Sequence, residues 1–233
     1  MDFLLFSLLF IPFSAFFVLL ATIKEQKILL SEGVINKLSE NLLIIFKIIP
    51  TLLVTIFVFL NPFDDTIVSV IFGLAFLLCF FADIGIEKNF LIGMVLFLFA
   101  QIFFVLSFSS LAFLHLNDEQ LIILVLPLIL LIIYDFFLLK YLSSSVKGLG
   151  EFKIPVIIYS IALSLMVLST IFLYLTGDTS ELILVVFGAI LFVISDSFIA
   201  VREFHHKFKY SELIIMSTYY GALYFLSILV TVQ

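Results

Sequence analysis

Charge is scarce in this sequence. Only 12% of the residues are charged, while 64% are hydrophobic, where a soluble domain is nearer half. That shortage excludes a water-facing surface over most of the chain. Cysteine is nearly absent too: Cys79 stands alone in an apolar run, so no internal disulfide can form and the redox compartment is not readable. Tryptophan is missing altogether, which leaves tyrosine and the 31 phenylalanines to serve at membrane interfaces. The chain also lacks the short alternating segments of a transmembrane β-barrel. No polar linker is long enough to hide a second domain, and there is no low-complexity tail. The formal net charge of -6 excludes little, because most charges sit in short connections.

What is present is a series of apolar runs of about 20 residues, the length of a membrane-crossing helix. The sequence predicts an all-α, polytopic membrane protein, a single transmembrane domain over 1–233. Its eight spans fall at roughly 3–22, 42–60, 66–84, 90–111, 120–139, 154–175, 182–200 and 213–231. The first run, MDFLLFSLLFIPFSAFFVLLATIKE, has no basic leading region and a longer apolar core than a cleaved signal. It reads as a retained helix. The connections are short and polar, as in NPFDD (61–65), HLNDE (115–119) and TGDTSE (176–181).

Basic residues set the orientation. Lys24, Lys27 and Lys37 follow span one, Lys88 follows span three, Lys140, Lys147 and Lys153 follow span five, and Arg202, Lys207 and Lys209 follow span seven. The termini and the even-numbered connections carry none. Lysine and arginine are retained on the cytoplasmic side, so both termini are expected on the non-cytoplasmic side. Lysine far outnumbers arginine, and Ile and Phe are abundant. That usage points to an AT-rich prokaryotic genome, and so to a cytoplasmic membrane.

With this orientation the intramembrane polar residues share a depth. Asp196 precedes Arg202 by six residues, Asp83 precedes Glu87 by four, Asp135 precedes Lys140 by five, and Lys47 follows Glu40 by seven. At about 1.5 Å per residue all four lie roughly 6–10 Å inside the cytoplasmic boundary. Tyr159, Tyr219 and Tyr220 reach a similar depth, and Gln101 lies nearer the midplane. Taken singly, Asp83 and Asp135 read equally as interfacial residues and Lys47 as a snorkelling lysine. Asp196 does not, because apolar residues flank its serines on both sides. An ionisable group inside a span normally faces a polar cavity or a partner. Together these residues predict one cavity open to the cytoplasmic leaflet. A repeat adds to this. FKIIP (46–50) opens span two and FKIP (152–155) opens span six. Ala75 precedes Asp83 by eight residues, as Gly188 precedes Asp196. A parallel duplication would relate the two aspartates about an axis along the membrane normal.

Several segments in order carry a family likeness over most of 42–230: FKIIP, the apolar run ending in Ala82-Asp83, GMVLFLFAQIFFVLSF (93–108), IPVIIYSIALSLMV (154–167), GAILFVISDSFIAVREF (188–204) and IIMSTYYGALYF (214–225). In these the chain resembles the YhhN family, the lysoplasmalogenase-like integral membrane proteins. It departs where the family commonly has His in the fourth helix, here Gln101, and Gln after the Tyr pair, here Leu223. The first departure removes a group able to titrate near neutrality.

The resemblance implies hydrolysis of the vinyl ether of a lysoplasmalogen to a fatty aldehyde and a glycerophospho-alcohol. That chemistry protonates a carbon, passes through an oxocarbenium-like cation and adds water. It needs one protonated acid and one negative group, roles that two carboxylates can divide. Asp83 and Asp196 are the candidate pair, with either one as the acid. Lys47 would pair with one of them or hold the substrate phosphate. Gln101, Asp135, Tyr159, Ser195, Tyr219 and Tyr220 are the candidate substrate-binding residues. The expected partners are a lysophospholipid substrate and membrane lipids, without nucleic acid, metal or cofactor.

His205 and His206 are adjacent and cannot share one helix face. They and His115 read as solvated loop residues. Gly93 and Gly188 read as helix-packing positions, since no strand–loop–helix pattern is present. Two other functions use the same residues: a transporter or channel for protons or small amphiphiles, and a catalytically silent lysolipid-binding relative. The nearly purely apolar outer halves of the spans favour a one-sided cavity.

Overall fold

The computed structural model describes residues 1–29, 37–112, 118–145 and 148–232. Eight of its helices are long and apolar enough to cross a membrane. They are α1 (Phe3–Leu29), α2 (Lys37–Leu60), α3 (Thr66–Lys88), α4 (Phe90–Ala112), α5 (Asp118–Ser143), α6 (Lys153–Thr176), α7 (Leu182–Ala200) and α8 (Ser211–Ser227), with a short α9 (Leu229–Val232) after the last. Each expected span falls on one of them, the last running on through α9. The helices overrun the expected ends: α1 continues to Leu29, α3 to Lys88, and α5 runs from Asp118 to Ser143. A helix stops at a cap and not where hydrocarbon ends, so polar residues extend it into the interface. His115 and Lys147 lie outside the described residues.

The caps are readable side chains. Asp65 accepts from the backbone N–H groups of Ile67 and Val68 at 2.9 and 3.1 Å, which starts α3. Asn89 alone joins α3 to α4. Its N–H donates to the Gly85 carbonyl at 2.8 Å, and its Oδ1 accepts from the N–H of Leu91 at 2.9 Å. The start of α8 is capped from another helix. Glu25 of α1 accepts from the Ser211 N–H and hydroxyl at 3.0 and 2.6 Å. Between α7 and α8 the chain makes one π-helical turn, Val201–His205, closed by the His206 N–H on the Val201 carbonyl at 2.9 Å.

Packing neighbours form a closed ring: α1, α2, α3, α4, α6, α7, α8 and back to α1, with α5 against α6. The order is consistent with the four-helix repeat in the sequence. The contacts α1–α2, α2–α3, α3–α4 and α4–α6 have counterparts in α5–α6, α6–α7, α7–α8 and α8–α2. Outward faces are apolar. Ile67, Ile122 and Ile154 each expose 70% or more of their surface, which suits lipid and not water. The half of the ring nearer the termini is filled by phenylalanine. Phe6 stacks on Phe57 at 4.2 Å, and Phe72, Phe76, Phe104 and Phe108 pack ring against ring between α3 and α4.

Glycine lets the tightest helix pairs close, as expected for Gly93 and Gly188. A Cβ on Gly93 would sit 2.6 Å from the Ile86 backbone, and one on Gly188 would sit 2.8 Å from the Leu226 nitrogen. Gly73 differs, because its Cβ would meet only the half-exposed Phe59 ring, which can swing into lipid. We expect Gly93→Ala to destabilise the folded protein by about 1–3 kcal/mol and Gly73→Ala to cost much less. Thermal unfolding in detergent measures both. Equal melting temperatures for the two variants would contradict the close α3–α4 contact.

Candidate active site

Six helices bring polar side chains to one level near the end of the ring that holds the basic connections. They surround a cavity of about 260 Å³ lined by both candidate aspartates, by Lys47, Glu87, Arg202 and Glu212, and by apolar side chains such as Phe97 and Ile199.

Asp83, on α3, is 2% exposed. Its Oδ2 accepts from the Thr51 hydroxyl of α2 at 2.5 Å and from the Tyr219 hydroxyl of α8 at 3.1 Å. Asp196, on α7, is 7% exposed. Its Oδ2 accepts from the Tyr159 hydroxyl of α6 and from the Gln101 Nε2 of α4 at 3.4 Å. The two arrangements correspond under the repeat. Each carboxylate is held by the preceding helix of its own half and by the last helix of the other half. Each has both partners on one oxygen. Among the described residues the Oδ1 atoms accept no hydrogen bond, and they are the oxygens left for the cavity. Gln101 is fully buried, and its Oε1 has no partner among the described residues. Phe97, Phe192 and Tyr219 meet edge to face beside the aspartates, which fixes the Tyr219 ring.

Lys47 pairs with neither aspartate. Its Nζ lies 2.5 Å from Glu87 Oε1. Glu87 is one helical turn beyond Asp83 and nearer the exit, so it meets the lysine first. Arg202 reaches from the π-helical turn to Glu212 at 2.6 Å and to Glu203 at 3.2 Å. The mouth is therefore built of ion pairs, with the two aspartates beneath.

Two expected site residues serve elsewhere, and a third lines the cavity with its hydroxyl engaged outside it. Asp135 lies outside the cavity, where it accepts from the Ser164 hydroxyl of α6 at 2.8 Å. It has the right depth, but α5 packs outside the ring. Tyr220 points to the other side of α8 and donates to the Lys47 carbonyl at 2.8 Å, in the turn preceding Pro50. Ser195 lines the cavity, but its hydroxyl donates to the Ile215 carbonyl at 3.0 Å and ties α7 to α8. Tyr159 reaches the site through Asp196. The two adjacent histidines share no helix face, as expected, but meet at the exposed end of the π-helical turn, their Nδ1 atoms 2.8 Å apart. His206 has left the helix for extended backbone, with φ -154°, and folds back. His205 stacks on Tyr141 at 4.2 Å.

Thr51, Glu87, Arg202, Glu203 and Glu212 were not among the expected site residues. Helical spacing could have found most of them. Thr51 lies one turn after Lys47 and Glu87 one turn after Asp83, while Glu212 lies two turns before Tyr219.

The stretch that builds this cavity, from α2 through α8, is also the stretch with a recognisable relationship. The model of the YhhN family matches residues 42–230. No curated protein and no solved structure matches the chain. With the matched region covering most of the sequence and every residue named in the cavity, the chain belongs to the YhhN family.

Proposed function

We propose that this protein is a membrane-embedded hydrolase that cleaves the vinyl ether of lysoplasmalogens, releasing a fatty aldehyde and a glycerophospho-alcohol. The observation that carries the reading is the pair of buried aspartates, each held on one oxygen and open on the other, lining one small cavity. The lysolipid enters from the cytoplasmic leaflet, keeps its chain among the apolar helices and presents its ether to the carboxylates.

In the first step Asp196 gives its proton to the β-carbon of the vinyl ether. The double bond supplies the electron pair for the new C–H bond, and the positive charge is shared by the α-carbon and the ether oxygen. The neighbouring Asp83 carboxylate stabilises that cation. In the second step water adds to the α-carbon and Asp83 takes its proton, giving a hemiacetal. In the third Asp83 returns its proton to the glycerol oxygen as the C–O bond breaks, and Asp196 takes the proton of the hemiacetal hydroxyl, so both carboxyls regain their starting states. One water is consumed, and the products are the aldehyde and the alcohol. We assign the donor role to Asp196, whose turn of helix carries no ion pair, and the base role to Asp83. Asp83 lies one turn from the Lys47–Glu87 ion pair at the mouth. Tyr159 and Gln101 orient the acid; Thr51 and Tyr219 orient the base.

A transporter needs a polar route to both faces. Here the cavity is backed by the phenylalanine-filled half of the ring, with Phe72, Phe76, Phe104 and Phe108 fully buried. That packing favours a one-sided site and an enzyme. A silent lysolipid-binding relative is separated by turnover itself.

The direct experiment is aldehyde release from purified protein given lysoplasmenylethanolamine. Asp196→Asn keeps the size of the side chain and loses the transferable proton, so its rate should fall by about 10²–10⁴-fold with the protein still folded. Full activity in a folded Asp196→Asn protein would remove the mechanism. Gln101→His restores a titratable group next to Asp196. It should raise turnover and add a limb to the pH–rate profile near neutrality. An unchanged profile would reduce position 101 to an orienting amide.

A further inference from the structure

The mouth of the cavity holds two cations and three carboxylates in fixed pairs: Lys47 with Glu87, and Arg202 with both Glu203 and Glu212. The catalytic scheme uses none of the Arg202 group. Arg202 nonetheless lines the same cavity as Asp83 and Asp196, and its side chain is 21% exposed. It lies six residues beyond Asp196, or about 9 Å along a helix axis. With the arginine reaching back, a glycerol unit fits between an ether at Asp196 and a phosphate at the guanidinium.

A guanidinium carries five N–H donors in a planar fork that suits phosphate. In Arg202 the Nε and Nη1 atoms meet glutamates, while Nη2 makes no hydrogen bond among the described residues. The fork is thus preset and not saturated. Its strongest partner, Glu212, sits in the first turn of α8, where the helix dipole favours a carboxylate even when its cation is withdrawn. The charge balance adds selectivity. A simple anion entering the mouth would take Arg202 and strand Glu212 unpaired. A zwitterion would exchange partners, its phosphate taking Arg202 and its ammonium taking Glu212, with no ion pair lost.

We propose that Arg202 is the receptor for the headgroup phosphate of the lipid, and that its partner Glu212 receives a cationic group at the far end of that headgroup. The assignment rests on the lysolipid reading of the cavity, but not on its being catalytic.

The test uses ethers that cannot be hydrolysed. Binding to the purified full-length protein is measured for 1-alkyl-glycerophosphoethanolamine, 1-alkyl-glycerol-3-phosphate and 1-alkylglycerol. Wild type should prefer the zwitterion. Arg202→Gln should weaken the two phosphate probes by about tenfold more than the phosphate-free one. Arg202→Lys, which keeps the charge without the fork, should fall between. Glu212→Gln should shift preference severalfold toward the simple phosphate. An equal loss on all three probes in Arg202→Gln would assign the arginine to structure alone and overturn the proposal. So would no loss, or no binding of the zwitterion by wild type. Inorganic phosphate that displaces the zwitterionic probe as well as glycerophosphoethanolamine does would mark a free-anion site, and also overturns it. Aldehyde release by the same wild-type protein separates the two readings. Headgroup selectivity without turnover would sink the hydrolase and leave Arg202 in its role, and turnover without the selectivity would do the reverse.

Discussion

A carboxyl group inside a bilayer must find partners within the protein, because lipid offers none and leaving it unsatisfied at mid-span costs about 3 kcal/mol. In this chain that requirement is met outside the ring at Asp135 and inside it at Asp83 and Asp196, and much of the architecture follows from the inner two. No single helix can satisfy its own carboxylate. Asp83 on α3 draws donors from α2 and α8, and Asp196 on α7 draws them from α6 and α4. Meeting both demands brings six helices to one level and helps close the ring. The close-packed glycines at 93 and 188 then let α3 approach α4, and α7 approach α8.

Much of this was legible in the sequence. Eight apolar runs became eight helices, and the polar stretches between them placed most ends to within four or five residues, with α1 running seven residues further than expected. Asp83 and Asp196 stood out because a carboxylate in an oily run is costly unless a partner or a polar cavity receives it. What depth along a helix does not supply is azimuth. Asp135 sits at the right level on α5, but α5 lies outside the ring and its carboxylate meets Ser164 instead. Tyr219 and Tyr220 are adjacent, so a helix sends them to different sides, and only Tyr219 reaches an aspartate. Thr51 was hidden because a threonine in an apolar helix usually bonds its own backbone, as Thr55 does to the Thr51 carbonyl at 2.7 Å. Arg202 and Glu212 were hidden by their places near helix ends, where charges read as solvated. The π-helical turn and a cross-helix ion pair make them the rim of the cavity.

The two carboxylates are held alike, and the mouth sets them apart. Each aspartate has one donor from its own half and one from the other, so the first four and last four spanning helices are interlocked at the site. The symmetry fails in the donors: a threonine and a tyrosine on Asp83, a tyrosine and a glutamine on Asp196. It fails again at the exit, where the Lys47–Glu87 pair stands one turn from Asp83. Two groups held alike can take opposite roles in proton transfer once their neighbours differ in this way.

The interlocking has a consequence for how the protein is made. Helices enter the membrane in chain order. When α7 arrives, α4 and α6 are already present, so Asp196 finds both its donors waiting. Asp83 arrives with α3 when only Thr51 of α2 is in place, and its second donor comes with the final spanning helix. Glu25, near the end of α1, likewise waits for Ser211 to begin α8. The first and third helices thus hold open positions through most of synthesis. The cavity becomes complete only when α8, the last membrane-crossing segment, brings Glu212 and Tyr219 to its wall.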